Sequence, residues 1–432
     1  MLNTPEVKCS YKIANDPTGV TVATAEIPHM SSVSVGIWVG IGGRYEPPVL
    51  CGVSHFIEHM LFKGTQRRNA REISQDVEGI GGYLNAFTTE ETTCFYAKAA
   101  SDRFAHVWDV LADMFLNSTF DPGEVEKERA VIREELAMYL DQPHHHVQDL
   151  LNETLWPDQP LGRPLTGTEK TLGALRREDL IRFKEQNYVT RGTLIAVAGN
   201  IDHETARKAA SKFGKKFSKA NRRGFEPAVC QQDAPRLRLH KKETEQTQLA
   251  LALRTCSRHD ERRFALRLLN VMLGENMSSR LFQVVREDNG LAYSICSSLG
   301  FFDDVGTLTI SAGVETERLE KALKLIMGEL ALFIRQSPSA AELRRARDYI
   351  FGQLDLSLEN TENQMTWLGE HYLGYGKIIS PEEVKTQLAE VTPGQIRAVA
   401  RDFFAPDRLG LALVSPIDKP AEVRAIVSRF EP

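Results

Sequence analysis

The sequence predicts an α+β protein of two homologous domains, each a mostly antiparallel sheet with helices packed on one face. Three observations lead there. At 432 residues the chain is too long for one ordinary core. Short stretches of strand periodicity alternate with helical ones. The two halves also repeat the same order of patterns, the mark of an internal duplication.

The strands come first. "SSVSVGIWVGI" alternates Val33, Val35, Ile37, Val39 and Ile41, and "TQLALALR" alternates Leu249, Leu251 and Leu253. Period-two alternation places one face of each strand in a core. Each strand leads into an apolar helical run, "VSHFIEHMLF" in the first half and "RFALRLLNVML" in the second. The halves also end alike. Shifted by 216 residues, Leu180 falls on Ile396, Tyr188 on Phe404, Ala196 on Ala412, and Ile201-Asp202 on Ile417-Asp418. Both ends spell a helix, a short buried strand, an Ile-Asp turn and a second helix. "GKKFSKANRRGFEPAVCQQDAPRL" between them is charged and aperiodic, as linkers are. The expected domains are residues 1–222 and 223–432.

Bulk properties exclude several functions. Apolar residues form 42% and charged residues 26%, the balance of a globular protein. The net charge of −5 leaves no basic field for nucleic acid. No apolar run is long enough to span a bilayer, and the start carries no secretory pattern. The six cysteines, without a C-x-x-C pair, fit free thiols in a reducing compartment. The expected location is the cytoplasm, with no membrane and no nucleic-acid partner.

"CGVSHFIEHMLFKGT" puts polar groups into an apolar helix. Positions i, i+3 and i+4 share a face, so His55, Glu58 and His59 project together. Two imidazoles one turn apart can hold one Zn²⁺, and the intervening carboxylate can reach a water beside it. This is the H-x-x-E-H spacing of inverted zincins. By itself a five-residue match also suits a core helix with satisfied histidines. Aligning Phe62 with Leu273 sets His55, Glu58 and His59 opposite Leu266, Leu269 and Asn270, so only the first half carries the cluster.

A third ligand is sought in "DPGEVEKERAVIREELAMYLDQP", a strong helix former. Glu128, Val131, Ile132, Glu135 and Tyr139 share a face, while Glu134 points most of the way round to the other side. Glu135 is therefore preferred as ligand, with Glu128 orienting a histidine or the catalytic water. Alone, this helix also suits a solvated acidic face. The triplet in "PHHHVQDLL" is no second site, because adjacent histidines on a helix point about 100° apart.

"HFIEH", 75 intervening residues and then Glu135 of "ERAVIREEL" resemble the pitrilysin/insulinase family of zinc peptidases. The likeness is to its short-chain branch, which includes the mitochondrial processing peptidases and their bacterial relatives. "GIGGYLNAFTTEETTCFYAK" resembles the strand region after the zinc helix. "SSRLFQVVREDNGLAYSI" resembles the family's substrate-binding segment, with Arg and Tyr seven residues apart. "LGENMSSRLF" departs from the glycine-rich loop of bacterial relatives, since Glu275 and Asn276 replace small residues.

The resemblance implies an endopeptidase with one Zn²⁺ per chain, held by His55, His59 and Glu135. Glu58 would act as general base on the zinc-bound water, with Glu128 supporting the site. Arg286 and Tyr293 would bind substrate carbonyls and stabilise the developing oxyanion. Asn85, Ala86 and Phe87 would form a sheet edge that pairs with an extended peptide. Each chain would be half of a clamshell, assembled as a homodimer or as a heterodimer with a homologous subunit, and the partners would be peptides or unfolded segments. The family resemblance also covers silent, non-catalytic subunits, which typically have damaged H-x-x-E-H motifs.

Overall fold

The computed structural model describes residues 9–418 and 420–430. Six strands, β1 (Ser10–Asn15), β2 (Thr21–Glu26), β3 (Ser32–Val39), β4 (Tyr83–Thr88), β5 (Thr93–Ala100) and β6 (Thr193–Gly199), pair in the order β1-β2-β6-β3-β5-β4. Five more, β7 (Arg236–Lys241), β8 (Thr247–Thr255), β9 (Ala292–Phe301), β10 (Gly306–Val314) and β11 (Leu409–Ser415), pair as β7-β11-β8-β10-β9. Only β2–β6 and β7–β11 are parallel; the other neighbours run antiparallel. With β1 set aside the two orders are the same, which is the duplication read from the chain.

The helices that matter below are α1 (Val53–Leu61), α2 (Phe104–Asn117), α3 (Pro122–Asp141), α4 (Pro143–Leu155), α5 (Arg177–Asn187), α6 (Arg263–Asn270), α7 (Thr361–Tyr375) and α8 (Pro393–Phe403). The shift of 216 carries β6 onto β11 and α5 onto α8, residue for residue.

The chain forms two compact units that are not contiguous halves. One comprises the chain up to Leu136, Pro164–Glu226 and Asp355–Ile378; the other comprises Ala137–Arg163, Pro227–Leu354 and the chain from Ile379 onwards. This differs from the expected division at 222/223, because each unit takes a helix from the other half. Strand alternation explains why. One face of the first sheet, including Val22, Val35, Ile37, Ile195 and Val197, packs into the core that holds α1 and α2. The opposite face (Ala23, Ala25, Trp38, Leu194, Ala196, Ala198) is also apolar and is covered by Met365 and Leu368 of α7. The second sheet repeats this: Leu249, Leu251, Leu411 and Leu413 face its main core, while Ala250, Ala252 and Ala412 pack with Val147, Leu151 and Leu155 of α4.

Each sheet thus has its main helical layer on one face, and a single helix covers the other. Alanines on the second face leave room for that helix to approach closely. At the first sheet, a Cβ on Gly369 of α7 would lie 2.1 Å from the Trp38 ring.

Candidate metal centre

Helix α1 starts where its geometry demands. Gly52 has φ +92°, the left-handed region, and a Cβ there would meet Gly167 Cα and Thr166 O at 2.8 Å. The Glu46 carboxylate, 4% exposed, accepts 2.7 Å hydrogen bonds from the Gly52 and Ser54 amides. It satisfies two of the donors that a helix start leaves open and places a negative charge there. Val53, Phe56, Ile57, Met60 and Leu61 are fully buried. At about 2 kcal/mol apiece, their burial outweighs the cost of holding three polar groups half out of water.

Those groups are His55, Glu58 and His59, all part-exposed. Glu135 of α3 faces the two imidazoles: its Oε2 lies 3.7 Å from His55 Nε2 and 3.6 Å from His59 Nε2. The three donor atoms all lie within 4.8 Å of one another, and no other such group of three occurs among the described residues. Tetrahedral donors around a zinc ion sit about 3.4 Å apart. Two imidazoles and a carboxylate at this spacing fit such an ion with little adjustment.

The protonation states fit as well. Burial, reinforced by neighbouring His59, pushes the His55 imidazole down to about 4, so it is neutral and keeps a lone pair at pH 7. Its Nδ1 is buried with no hydrogen-bond partner among the described residues. His59 is oriented from behind: its Nδ1 lies 3.0 Å from Glu128 Oε2. Lys63 Nζ lies 2.7 Å from the other oxygen of Glu128. Burial raises the Glu128 carboxyl, but the hydrogen bonds from His59 and Lys63 outweigh it and leave it below its ordinary value. Glu128 is therefore a carboxylate that accepts a hydrogen bond from His59 Nδ1–H and leaves the Nε2 lone pair facing Glu135.

Glu58 is set differently. Its Oε2 accepts a 2.5 Å hydrogen bond from Thr88 Oγ1 at the end of β4. Burial raises this carboxyl, and the Glu135 charge adds to the rise; the Thr88 bond and His59 pull the other way without cancelling it. A carboxylate of raised basicity beside two imidazoles suits a proton carrier.

Strand β4 ends the sheet order, so among the described residues it has a strand neighbour on one side only. Asn85, Ala86 and Phe87 pair with Tyr96, Phe95 and Cys94 of β5. Phe87 is fixed by edge contacts with Trp38 and Tyr96 at 5.3 and 6.1 Å. Arg286 and Tyr293 belong to the second unit, whereas the metal centre belongs to the first. Arg286 lies in a π-helical turn, Phe282–Glu287, with its guanidinium 5.2 Å from the centre of the Tyr293 ring. Tyr293, on edge strand β9, is 80% exposed. At the counterpart of the metal helix, α6, Leu266 and Leu269 are fully buried and Asn270 hydrogen-bonds Glu275 and Ser297.

Sequence reasoning did not single out Glu46, Lys63 or Thr88. Lys63 was the most accessible of these, standing four residues after His59 on the same side of the turn. Thr88 and Glu46 act across loops that no periodicity encodes.

A family model described as insulinase, peptidase family M16, matches residues 21–169, and one described as the peptidase M16 inactive domain matches residues 174–350. The chain belongs to peptidase family M16. Its M16 relatives include an uncharacterized zinc protease of Bacillus subtilis, YmxG, 39% identical over 399 residues, covering 92% of this chain and 96% of that one. Another uncharacterized zinc protease, from Streptomyces coelicolor, is 36% identical over 418 residues, covering 94% and 90%. The crystal structure of a protease from Helicobacter pylori matches with a TM-score of 0.88 at 19% identity, covering 94% of this chain and all of that one. A peptidase M16 inactive domain from Pseudomonas fluorescens also matches at 0.88 and 19%, covering 95% and 99%. At such identity the likeness is one of fold. The inactive-domain match covers α6, where leucines and an asparagine stand at the places of His55, Glu58 and His59.

Proposed function

We propose that this M16 chain is a zinc-dependent endopeptidase that cuts peptides or unfolded segments. The observation that carries the reading is the convergence of His55, His59 and Glu135, backed by Glu128 and flanked by Glu58. His55, His59 and Glu135 would hold the ion, which when bound supplies Lewis acidity and makes a coordinated water more acidic. The remaining work falls to the chain's own side chains. Glu128 keeps His59 in the tautomer that offers Nε2. Thr88 holds the Glu58 carboxylate where it takes a proton from the attacking water and later returns it to the leaving amine. Strand β4 offers the main-chain groups of its open edge, at Asn85, Ala86 and Phe87, to an extended substrate. Arg286 and Tyr293 bind substrate carbonyl oxygens and the developing oxyanion.

Pairing through the backbone tolerates many sequences, so selectivity rests on side-chain pockets. We place the enzyme in the cytoplasm, in agreement with six cysteines that form no disulfide among the described residues, as a homodimer whose two copies enclose the substrate. No helix among the described residues is long and apolar enough to cross a membrane.

The test is cleavage of a peptide library by the purified chain, with and without chelator, mapped by mass spectrometry. Glu58→Gln is expected to retain zinc and to lose about 10²–10⁴-fold in kcat. Cleavage at the wild-type rate by that variant would overturn the mechanism. Native mass spectrometry of the same sample reads the assembly.

A further inference from the structure

A cavity of about 720 Å³ opens in the first unit, away from the residues of the metal centre. It is walled by the end of α2, the Thr119–Phe120 turn, one side of α5 and residues 216–218. Its lining is lopsided in charge: Arg177, Lys184 and Lys216 face it with one carboxylate, Glu185.

Lys184 is the anomaly. It is part-buried, and its Nζ lies 5.4 Å from the centre of the Phe115 ring. Among the described residues its ammonium makes no hydrogen bond and no ion pair within 4 Å. A withdrawn ammonium without a direct ion pair is costly even with the Glu185 charge nearby, and such groups mark functional clefts more often than chance. Burial draws it down to about 8, which leaves it charged at pH 7. Beside it stands an aromatic wall: Phe115 stacks on Tyr188 at 5.6 Å and meets the edge of Phe217 at 5.8 Å. Arg177 fixes the mouth by donating to Phe120 O at 2.6 Å and Thr119 O at 3.1 Å. Phe120 there holds a left-handed φ of +47°, unusual for a bulky side chain. Such strain persists only where the surroundings enforce it.

We propose that this cavity binds a small organic carboxylate with an aromatic or branched apolar body, the carboxylate at Lys184 and Lys216 and the body against Phe115 and Phe217. The ligand's carboxylate supplies the ion pair that Lys184 lacks, and the rings supply a dry surface for the rest of the ligand. The inference is independent of the peptidase reading.

The test titrates the full chain calorimetrically with N-acetyl-L-phenylalanine at pH 7, using its amide as the uncharged control. Saturable one-to-one binding is expected, at least tenfold weaker for the amide and for Lys184→Gln. Lys216→Gln, an exposed change that leaves the fold alone, is expected to weaken binding in the same direction. Bound probe is also expected to protect Lys184 of the wild-type chain from acetic anhydride, read by peptide mass mapping. Triglycyl-L-phenylalanine, titrated in EDTA, separates the two sources of such a carboxylate. Binding as tight as that of the small probe assigns a peptide terminus, and weaker binding a free acid. Absence of saturable binding, equal binding of acid and amide, or inorganic phosphate binding as tightly as the acid would each overturn the proposal.

Discussion

Glu128 shows how one side chain sets the chemistry of another. It touches His59 Nδ1 and Lys63, not the position of the ion, and so acts through the imidazole it orients. Glu128→Ala is expected to weaken zinc binding about 10–100-fold, measured by competition with a chelator of known affinity. The spacing of His55, Glu58 and His59 was legible because helical periodicity converts sequence distance into a shared face. Glu135 was legible for the same reason once Glu134 was seen to point elsewhere. Thr88 was not, since its bond to Glu58 joins a strand end to a helix.

Asp149 carries a second prediction at this scale. Burial alone raises its carboxyl from 3.8 to about 6. Because the folded value lies above the unfolded one, its contribution to stability is fully present below pH 3.8. It is lost as pH rises through about 6, and the buried charge is then a penalty of about 3 kcal/mol. Asp149→Asn is therefore expected to stabilise the protein at pH 7.5 and to give no gain near pH 4, measured by urea melts at both values.

Among elements, the strands were the most readable, since alternation in "TQLALALR" and "SSVSVGIWVGI" fixes which face is buried. What alternation did not distinguish was which helix covers the second face. The alanines at positions 23, 25, 196 and 198 look like ordinary strand fillers until α7 is laid on them. Gly369 is the contact that sets its approach. Gly369→Ala forces a methyl into the Trp38 ring, and overpacking of this kind costs about 1–3 kcal/mol. A lowered Tm, with the loss confined in hydrogen exchange to β2, β3, β6 and α7, is the expected result. The π-helical turns at Val271–Glu275 and Phe282–Glu287 left no trace in the hydrophobic pattern. One residue added to a turn keeps its apolar residues inside, yet such turns occur disproportionately at working sites.

At the scale of the molecule, the duplication was readable from the 216-residue shift, but the trade of helices between the halves was not. Residues 143–155 and 361–375 each look like a helix of their own half, because an apolar stripe does not name its partner. The trade makes the first unit dependent on late sequence. A fragment ending at Glu226 lacks α7 and exposes Trp38, Leu194 and their alanine neighbours. It is expected to aggregate or to bind a hydrophobic dye. Adding a peptide of residues 355–378 should restore a cooperative melt; a fragment that melts cooperatively by itself would contradict this view of the unit.

The exchanged helix also sets a timetable for biosynthesis. Between Glu226 and Tyr375 the ribosome must add about 150 residues, which takes roughly 7–30 s at ordinary elongation rates. Throughout that interval the first sheet of the nascent chain has one greasy side uncovered. Maturation of the unit that holds the candidate metal centre therefore waits until Tyr375 has been made.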